Sequence, residues 1–363
     1  MGVALSLAAR GLGQVAPNPA VGCVIVVDAD TRPRIIGRGW TQPGGRPHAE
    51  TEALARAGAQ ARGATAYVSL EPCAHHGRTP PCAQALIDAG VARVVIGCGD
   101  PDPRVAGRGV RLLHDAGLTV VSGVREEEAV HLNAGFFSTV ERGRPLVTLK
   151  IAATLDGKIA THTGNSQWIT GSLARQRTHL MRAQADAIMI GSATAIVDDP
   201  QLTCRLPGLA HRSPIRVVAD GRLRLPLTSR MFRTARAQPL IVLTRKDTEP
   251  HRRRAFEDQG VDLIDVPVGP DNHMDMGDAL SQLAGRGMTR LLVEGGARLA
   301  ASLLRADLVD RIDWFQAPKI IGDDGYSAVA GLGLDDMGLE RGYRQRAVVP
   351  LGDDVLTRLE VRA

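Results

Sequence analysis

Residues 69–82 read SLEPCAHHGRTPPC and place two cysteines and two histidines within fourteen positions. The stretch is a disulfide loop, a small zinc finger or half of a catalytic metal site, and the choice decides how the first third of the chain folds. A disulfide is disfavoured. The five cysteines (Cys23, Cys73, Cys82, Cys98, Cys204) are an odd number in a 363-residue chain that carries no signal-peptide pattern. A finger is disfavoured too, because His75 and His76 lie too close to both cysteines to complete an unstrained tetrahedron.

The third ligand comes from upstream. In RPHAETEAL, residues 46–54, Pro47 is followed by His48 and Glu50 at a helix start. With EPC and the second cysteine the pattern is H-x-E … P-C-x(8)-C, a lengthened form of the zinc deaminase signature. One imidazole (His48) and two thiolates (Cys73, Cys82) offset the charge of Zn²⁺ and leave a fourth position for a water whose pKa the metal lowers. Glu50 is no ligand; it shuttles the proton from that water to the departing ammonia. Cys23 and Cys98 sit in apolar strand runs and read as buried thiols. Cys204 and the isolated His114, His179 and His211 read as structural or solvent-facing.

Short β-rich runs alternate with amphipathic helical windows along the whole chain, an α/β pattern. Strands are expected at 21–27, 34–40, 65–70, 93–98 and 118–123, and helices at 3–13, 48–60, 82–89 and 107–116. A polar helical connector over 124–144 ends at Pro145, where a domain boundary is placed. The length also favours two domains, 1–144 and 145–363. In the second, strands are expected from PLVTLKIAAT onward at 187–191, 215–220, 240–244, 261–266, 290–296 and 311–318.

Composition narrows the partners. The chain is 44% hydrophobic and 23% charged, with no apolar run long enough to span a bilayer. The N-terminus lacks signal-peptide regions, so a cytoplasmic location is expected. The net charge of +5 comes almost wholly from dispersed arginines, the lysines being Lys150, Lys158, Lys246 and Lys319, and aromatics are only 3%. Nucleic-acid binding would call for a basic stripe or stacking platforms, so phosphorylated small molecules fit better. A nucleoside or nucleic-acid deaminase fused to an unrelated domain and a non-catalytic zinc-stapled scaffold are the competing readings.

APNPAVGCVIV (16–26), RPHAE (46–50), SLEPCAHHGRTPPC (69–82) and GDPDPRVAGRG (99–109) resemble the deaminase domain of the bifunctional riboflavin-biosynthesis deaminase–reductases. TLDGKIA (154–160), SQWITG (166–171), SATAIVDDPQLTCR (192–205) and LLVEGGARLAASLL (291–304) extend the resemblance over nearly the whole chain. It implies a cytidine-deaminase-like three-layer α/β domain followed by a dihydrofolate-reductase-like domain, in a homo-oligomer, dimer or tetramer. It further implies deamination of 2,5-diamino-6-ribosylamino-4(3H)-pyrimidinone 5′-phosphate, then NADPH reduction of the ribosyl chain to ribityl. Asn18, His75, Arg78, Asp100 and Asp102 are thereby expected to meet the deaminase substrate, and Ser166, Arg182, Asp198, Arg205 and Glu294 the reductase substrate. Ala152, Trp168, Thr194, Gly295 and Gly296 are expected on the cofactor side, with VEGG running from a strand into a phosphate-binding helix start. The chain departs from the family at Thr41, often His, and at Glu52; Arg78 and Asp102 stand where Lys and Asn are common. It also opens inside its first helix, which leaves room for a start a few residues upstream.

Overall fold

The computed structural model describes residues 1–29, 32–74, 80–269, 272–336, 338 and 341–362. The chain divides into two compact units, Met1–Gly143 and Arg144–Ala363.

In the first unit the elements follow as α1 (Gly2–Ala8), β1 (Gly22–Ala29), β2 (Arg32–Trp40), α2 (Ala49–Ala57), β3 (Thr65–Leu70), α3 (Cys82–Asp88), β4 (Arg93–Cys98), α4 (Arg108–Asp115), β5 (Thr119–Val121) and α5 (Glu126–Arg142). The sheet runs β2-β1-β3-β4-β5, antiparallel through β3 and parallel beyond it. Alternation along β1 sends Cys23 and Ile25 to one face, where Ala49, Ala53, Ala83 and Leu86 of α2 and α3 complete the core. Val24, pointing the other way, packs with Ala4 and Leu7 of α1. The result is a helix–sheet–helix sandwich. β3 and β4 begin and end where their apolar, β-branched runs do. The helix expected over 3–13 stops at Ala8 and finishes as a 3₁₀ turn, and the strand expected over 118–123 keeps only three residues.

The second unit continues with β6 (Leu146–Thr154), β7 (Lys158–Ala160), α6 (Ser172–Ala183), β8 (Ala187–Gly191), α7 (Ser192–Asp198), β9 (Ile215–Ala219), α8 (Arg230–Arg233), β10 (Leu240–Thr244), α9 (Pro250–Glu257) and β11 (Asp262–Asp265). It closes with α10 (Met276–Gly285), β12 (Arg290–Glu294), α11 (Ala297–Arg305), β13 (Arg311–Ala317), β14 (Tyr326–Ser327), β15 (Tyr343–Leu351) and β16 (Asp354–Val361). Nine strands form one sheet in the order β11-β10-β9-β8-β12-β6-β13-β16-β15, parallel from β11 to β13 and antiparallel at the β16 and β15 edge. Parallel strands covered on both faces are apolar over most of their length, as LIVLT of β10 is, buried at all five positions. Val217 and Leu243 belong to the core on one face, Val218 and Val242 to that on the other. β12, late in the chain, inserts between β8 and β6, so the strand order reverses at the β8/β12 gap. That crevice at the carboxyl ends of parallel strands is where α/β sheets bind ligands.

Candidate functional site

Three donors converge in the first unit. His48 is the N-cap of α2 in an extended conformation, Cys73 lies on the turn after β3, and Cys82 opens α3. His48 Nδ1 lies 3.3 Å from Cys82 Sγ and 3.7 Å from Cys73 Sγ, and all three ligand atoms fall within 4.8 Å of one another. Bond lengths of about 2.3 Å to sulfur and about 2.0–2.1 Å to nitrogen place N and S about 3.5 Å apart in a tetrahedron. The donors therefore fit Zn²⁺ in type and spacing.

The electrostatics of the bare donors suit the same ion. The neighbouring Cys82 thiol, and then His48, hold the Cys73 thiol down to about 4; the backbone N–H of Cys82 also donates to Cys73 Sγ at 3.3 Å. Cys82 is pushed up, first by sharing its proton with Cys73 and then by burial. One thiolate is thus ready and one proton is left for a metal to displace. Glu50, two residues after the N-cap His48 in the first turn of α2 and 3% exposed, is raised to about 7 by burial and by the Cys73 charge. A carboxyl balanced near neutrality both takes and gives a proton.

The other residues expected at this site are held in place by different means. Asn18 stands against Gly45, whose φ of +82° and lack of a Cβ make room for the amide; an added Cβ would lie 1.9 Å from Asn18 Nδ2. The loop behind Asn18 is pinned by Asn133 of α5, which exchanges two hydrogen bonds with the Ala20 backbone (2.9 and 3.1 Å), and by Thr41, whose hydroxyl accepts from Val21 N–H and donates to Pro19 C=O. Thr41 thus has a structural task of its own here. Asp100 accepts from Asp102 N–H at 2.8 Å, and the Asp102 carboxylate pairs with Arg104. His75 and Arg78 lie outside the described residues.

In the second unit, Arg182 of α6 meets Glu294, the last residue of β12, through two parallel bonds of 2.7 and 2.8 Å, and donates a third to Thr203 C=O at 3.0 Å. Burial opposes charge on Glu294, but Arg182 outweighs it and holds the carboxyl below its usual range. Lys150, opposite Glu294 in the β6/β12 register, has its amine lowered chiefly by burial. Sequence reading passed over this residue; its signal was a lone lysine within the apolar run LVTLKIAAT. Arg205 adds a third cation beside Arg182, its backbone N–H reaching His179 Nδ1 at 3.3 Å, and the exposed Asp198 closes α7.

Of the residues expected on the cofactor side, Thr194, Gly295 and Gly296 come together where α7 and α11 begin after β8 and β12. Gly295 and Gly296 turn from β12 into α11 with φ of +76° and +90°, and a Cβ on Gly296 would sit 3.3 Å from Thr194 Oγ1 in α7. The two helix starts after β8 and β12, with a turn only glycine allows, make a cradle that fits a dinucleotide phosphate. Ala152 lies on β6; Trp168, 63% exposed, is stacked under Arg175 at 4.6 Å and tied through its carbonyl to Lys319 Nζ at 2.7 Å. Ser166 shares that loop. Among the described residues no helix is long and apolar enough to cross a membrane.

Residues 145–356 match the model of the RibD C-terminal domain, and residues 1–98 that of the cytidine and deoxycytidylate deaminase zinc-binding region. The riboflavin biosynthesis protein RibD of Escherichia coli is 41% identical, over 99% of this chain and 98% of its own length. That of Aquifex aeolicus is 40% identical, over 98% of this chain and 96% of its own length. The chain belongs to the RibD family. As a RibD-family protein it is a bifunctional deaminase and reductase of riboflavin biosynthesis, pairing a cytidine-deaminase-like zinc-binding domain with a reductase domain. Acinetobacter baumannii RibD superposes with a TM-score of 0.88 at 38% identity, covering 100% of this chain and 98% of that one. A Thermotoga maritima RibD-like structure, described as a diaminohydroxyphosphoribosylaminopyrimidine deaminase/5-amino-6-(5-phosphoribosylamino)uracil reductase, superposes at 0.87 with 36% identity, covering 100% and 97%.

Proposed function

We propose that residues 1–144 deaminate 2,5-diamino-6-ribosylamino-4(3H)-pyrimidinone 5′-phosphate and that residues 145–363 reduce the ribosyl chain of the product with NADPH, giving 5-amino-6-(5-phosphoribitylamino)uracil. The observation that carries the reading is the three-donor cluster of His48, Cys73 and Cys82 with the buried Glu50 beside it. His48, Cys73 and Cys82 would hold zinc, which when bound would lower the pKa of a coordinated water and so supply the nucleophile near neutral pH. Glu50 takes a proton from the attacking water and returns it to the leaving amine, so that oxygen enters and ammonia departs. Asn18 holds the pyrimidine edge, while His75, Arg78, Asp100 and Asp102 contribute further contacts to the substrate.

In the reductase half, NADPH when bound supplies the hydride. Gly295, Gly296 and Thr194 seat its phosphates, and Ala152 and Trp168 flank the rest. Arg182 and Arg205 bring the charge that suits a 5′-phosphate, Arg182 being oriented by Glu294; Ser166 and Asp198 complete the pocket. The enzyme works in the cytoplasm as a homo-oligomer, dimer or tetramer.

The test follows ammonia release and NADPH consumption separately, with the diaminopyrimidine phosphate supplied with and without NADPH. Ammonia should appear without NADPH, and NADPH should fall only after deamination. Turnover of cytidine alone would overturn the substrate assignment, and equal rates with NADH would overturn the cofactor preference.

A further inference from the structure

Glu71 is 4% exposed, sits in the same EPC turn as a zinc ligand, and has no role in the chemistry described above. Its carboxylate faces four backbone donors, none of them from its own neighbourhood in sequence. Oε2 accepts from Gly107 N–H at 3.0 Å and from Asp100 N–H at 3.4 Å; Oε1 accepts from Gly109 N–H at 2.9 Å and from Val110 N–H at 3.2 Å. These are the N-cap and the second and third residues of α4, together with the head of the loop that leads to it.

Gly107, at the N-cap, has a left-handed conformation and no side chain with which to cap α4. The first N–H groups of a helix need acceptors, and a carboxylate there is also favoured by the helix dipole. Glu71 supplies that cap from another strand. The join is tight: a Cβ on Gly109 would lie 2.0 Å from Pro72 C=O and 3.2 Å from Glu71 Cγ. Between these anchors the loop is folded by its own side chains, Asp100 accepting from Asp102 N–H and Asp102 holding Arg104. Pro72, with its fixed φ, links Glu71 to Cys73.

We infer that Glu71 is a positioning residue: its carboxylate locks the Asp100–Arg104 substrate loop and the start of α4 to the turn that carries the zinc ligand Cys73. This deepens the deaminase reading and rests on it. The loop that meets the substrate is thereby held in register with the metal instead of moving as a separate flap.

The test uses the full-length, zinc-loaded enzyme. Glu71→Gln keeps shape and volume but replaces one acceptor oxygen with a donor, which faces two backbone N–H groups. The KM for the diaminopyrimidine phosphate should rise about tenfold or more with a smaller fall in kcat. Zinc should stay at one per chain, and reduction of the already deaminated substrate should be unchanged. Hydrogen exchange at the amides of Gly107, Gly109 and Val110 should accelerate in both metal-free and loaded protein while β3 and β4 stay protected. Gly109→Ala, whose Cβ would lie 2.0 Å from Pro72 C=O and 3.2 Å from Glu71 Oε1 and so wedges α4 off the turn while leaving the carboxylate chemically intact, should raise KM similarly. The double variant should be no worse than the more affected single one, and Gly109→Ala decides if Glu71→Gln does not fold. An unchanged KM at full zinc occupancy would overturn the inference. So would loss of zinc and activity in equal proportion with the α4 amides still protected. A native enzyme that releases no ammonia from this substrate would instead overturn the functional reading.

Discussion

Replacing Gly45 with alanine tests whether Asn18 meets the pyrimidine edge. A Cβ at this position would lie 1.9 Å from Asn18 Nδ2, 2.6 Å from Cγ and 3.0 Å from Cβ, so no small torsion absorbs it. The backbone around Asn18 cannot easily yield, because Asn133 grips Ala20 and Thr41 grips Pro19 and Val21. The side chain must therefore swing away. The left-handed backbone itself costs an alanine about 1–2 kcal/mol of stability. The catalytic loss is separate: one neutral hydrogen bond to the substrate is worth about 0.5–1.5 kcal/mol, roughly two- to tenfold in kcat/KM. Steady-state ammonia release should fall by that factor, with zinc content and reductase kinetics unchanged. Asn18→Ala should show the same loss, and the pair together should lose no more than Asn18→Ala alone, because the wedge then has nothing to displace. Full deaminase activity in Gly45→Ala, or losses that multiply in the double variant, would refute the assignment of Asn18.

Glu50→Gln should cut deamination about 10²–10⁴-fold while zinc content and reduction stay intact, since the carboxyl is a proton carrier and not a ligand; metal analysis beside the two assays checks this. Gly296→Ala, at φ +90° and 3.3 Å from Thr194 Oγ1, should raise the KM for NADPH about tenfold and leave ammonia release untouched. Glu294→Gln leaves Arg182 buried without its carboxylate and should destabilise the second unit by about 3–5 kcal/mol near neutral pH. Because Arg182 lowers the folded pKa of Glu294, the stabilisation is present above the ordinary value of 4.5 and is lost as pH falls through the depressed folded value. The gap in Tm between native protein and Glu294→Gln should therefore be constant from pH 8 to about 5 and narrow below 4.5; a gap that widens in acid would contradict the sign.

What was legible in the chain follows from how locally each feature is encoded. TAYVSL, RVVIGC, AIMIG and LIVLT are short, mostly apolar runs, most of them rich in β-branched residues, and they become β3, β4, β8 and β10 with the expected bounds. The metal donors were readable because a helix start and a strand end each carry their own short motif. The β15–β16 hairpin was not foreseen: YRQRAVVPL alternates poorly, and most of β15 is exposed at the sheet edge. Asn133 and Glu71 were missed for a different reason. Their partners are backbone groups of Ala20, Gly107, Gly109 and Val110, whose side chains announce nothing.

The place of β12 also sets a timetable for synthesis. The segment from Gly191 to Thr194 leaves the ribosome about a hundred residues before Gly295 and Gly296, and the sheet between β8 and β6 stays open until then. At about 5–20 residues per second that interval lasts roughly 5–20 s. During it the nascent chain already carries every described element of the first unit, while the sheet of the second is still missing a central strand. Each new molecule thus has the strands and helices of its first unit in hand before the sheet of its second can close.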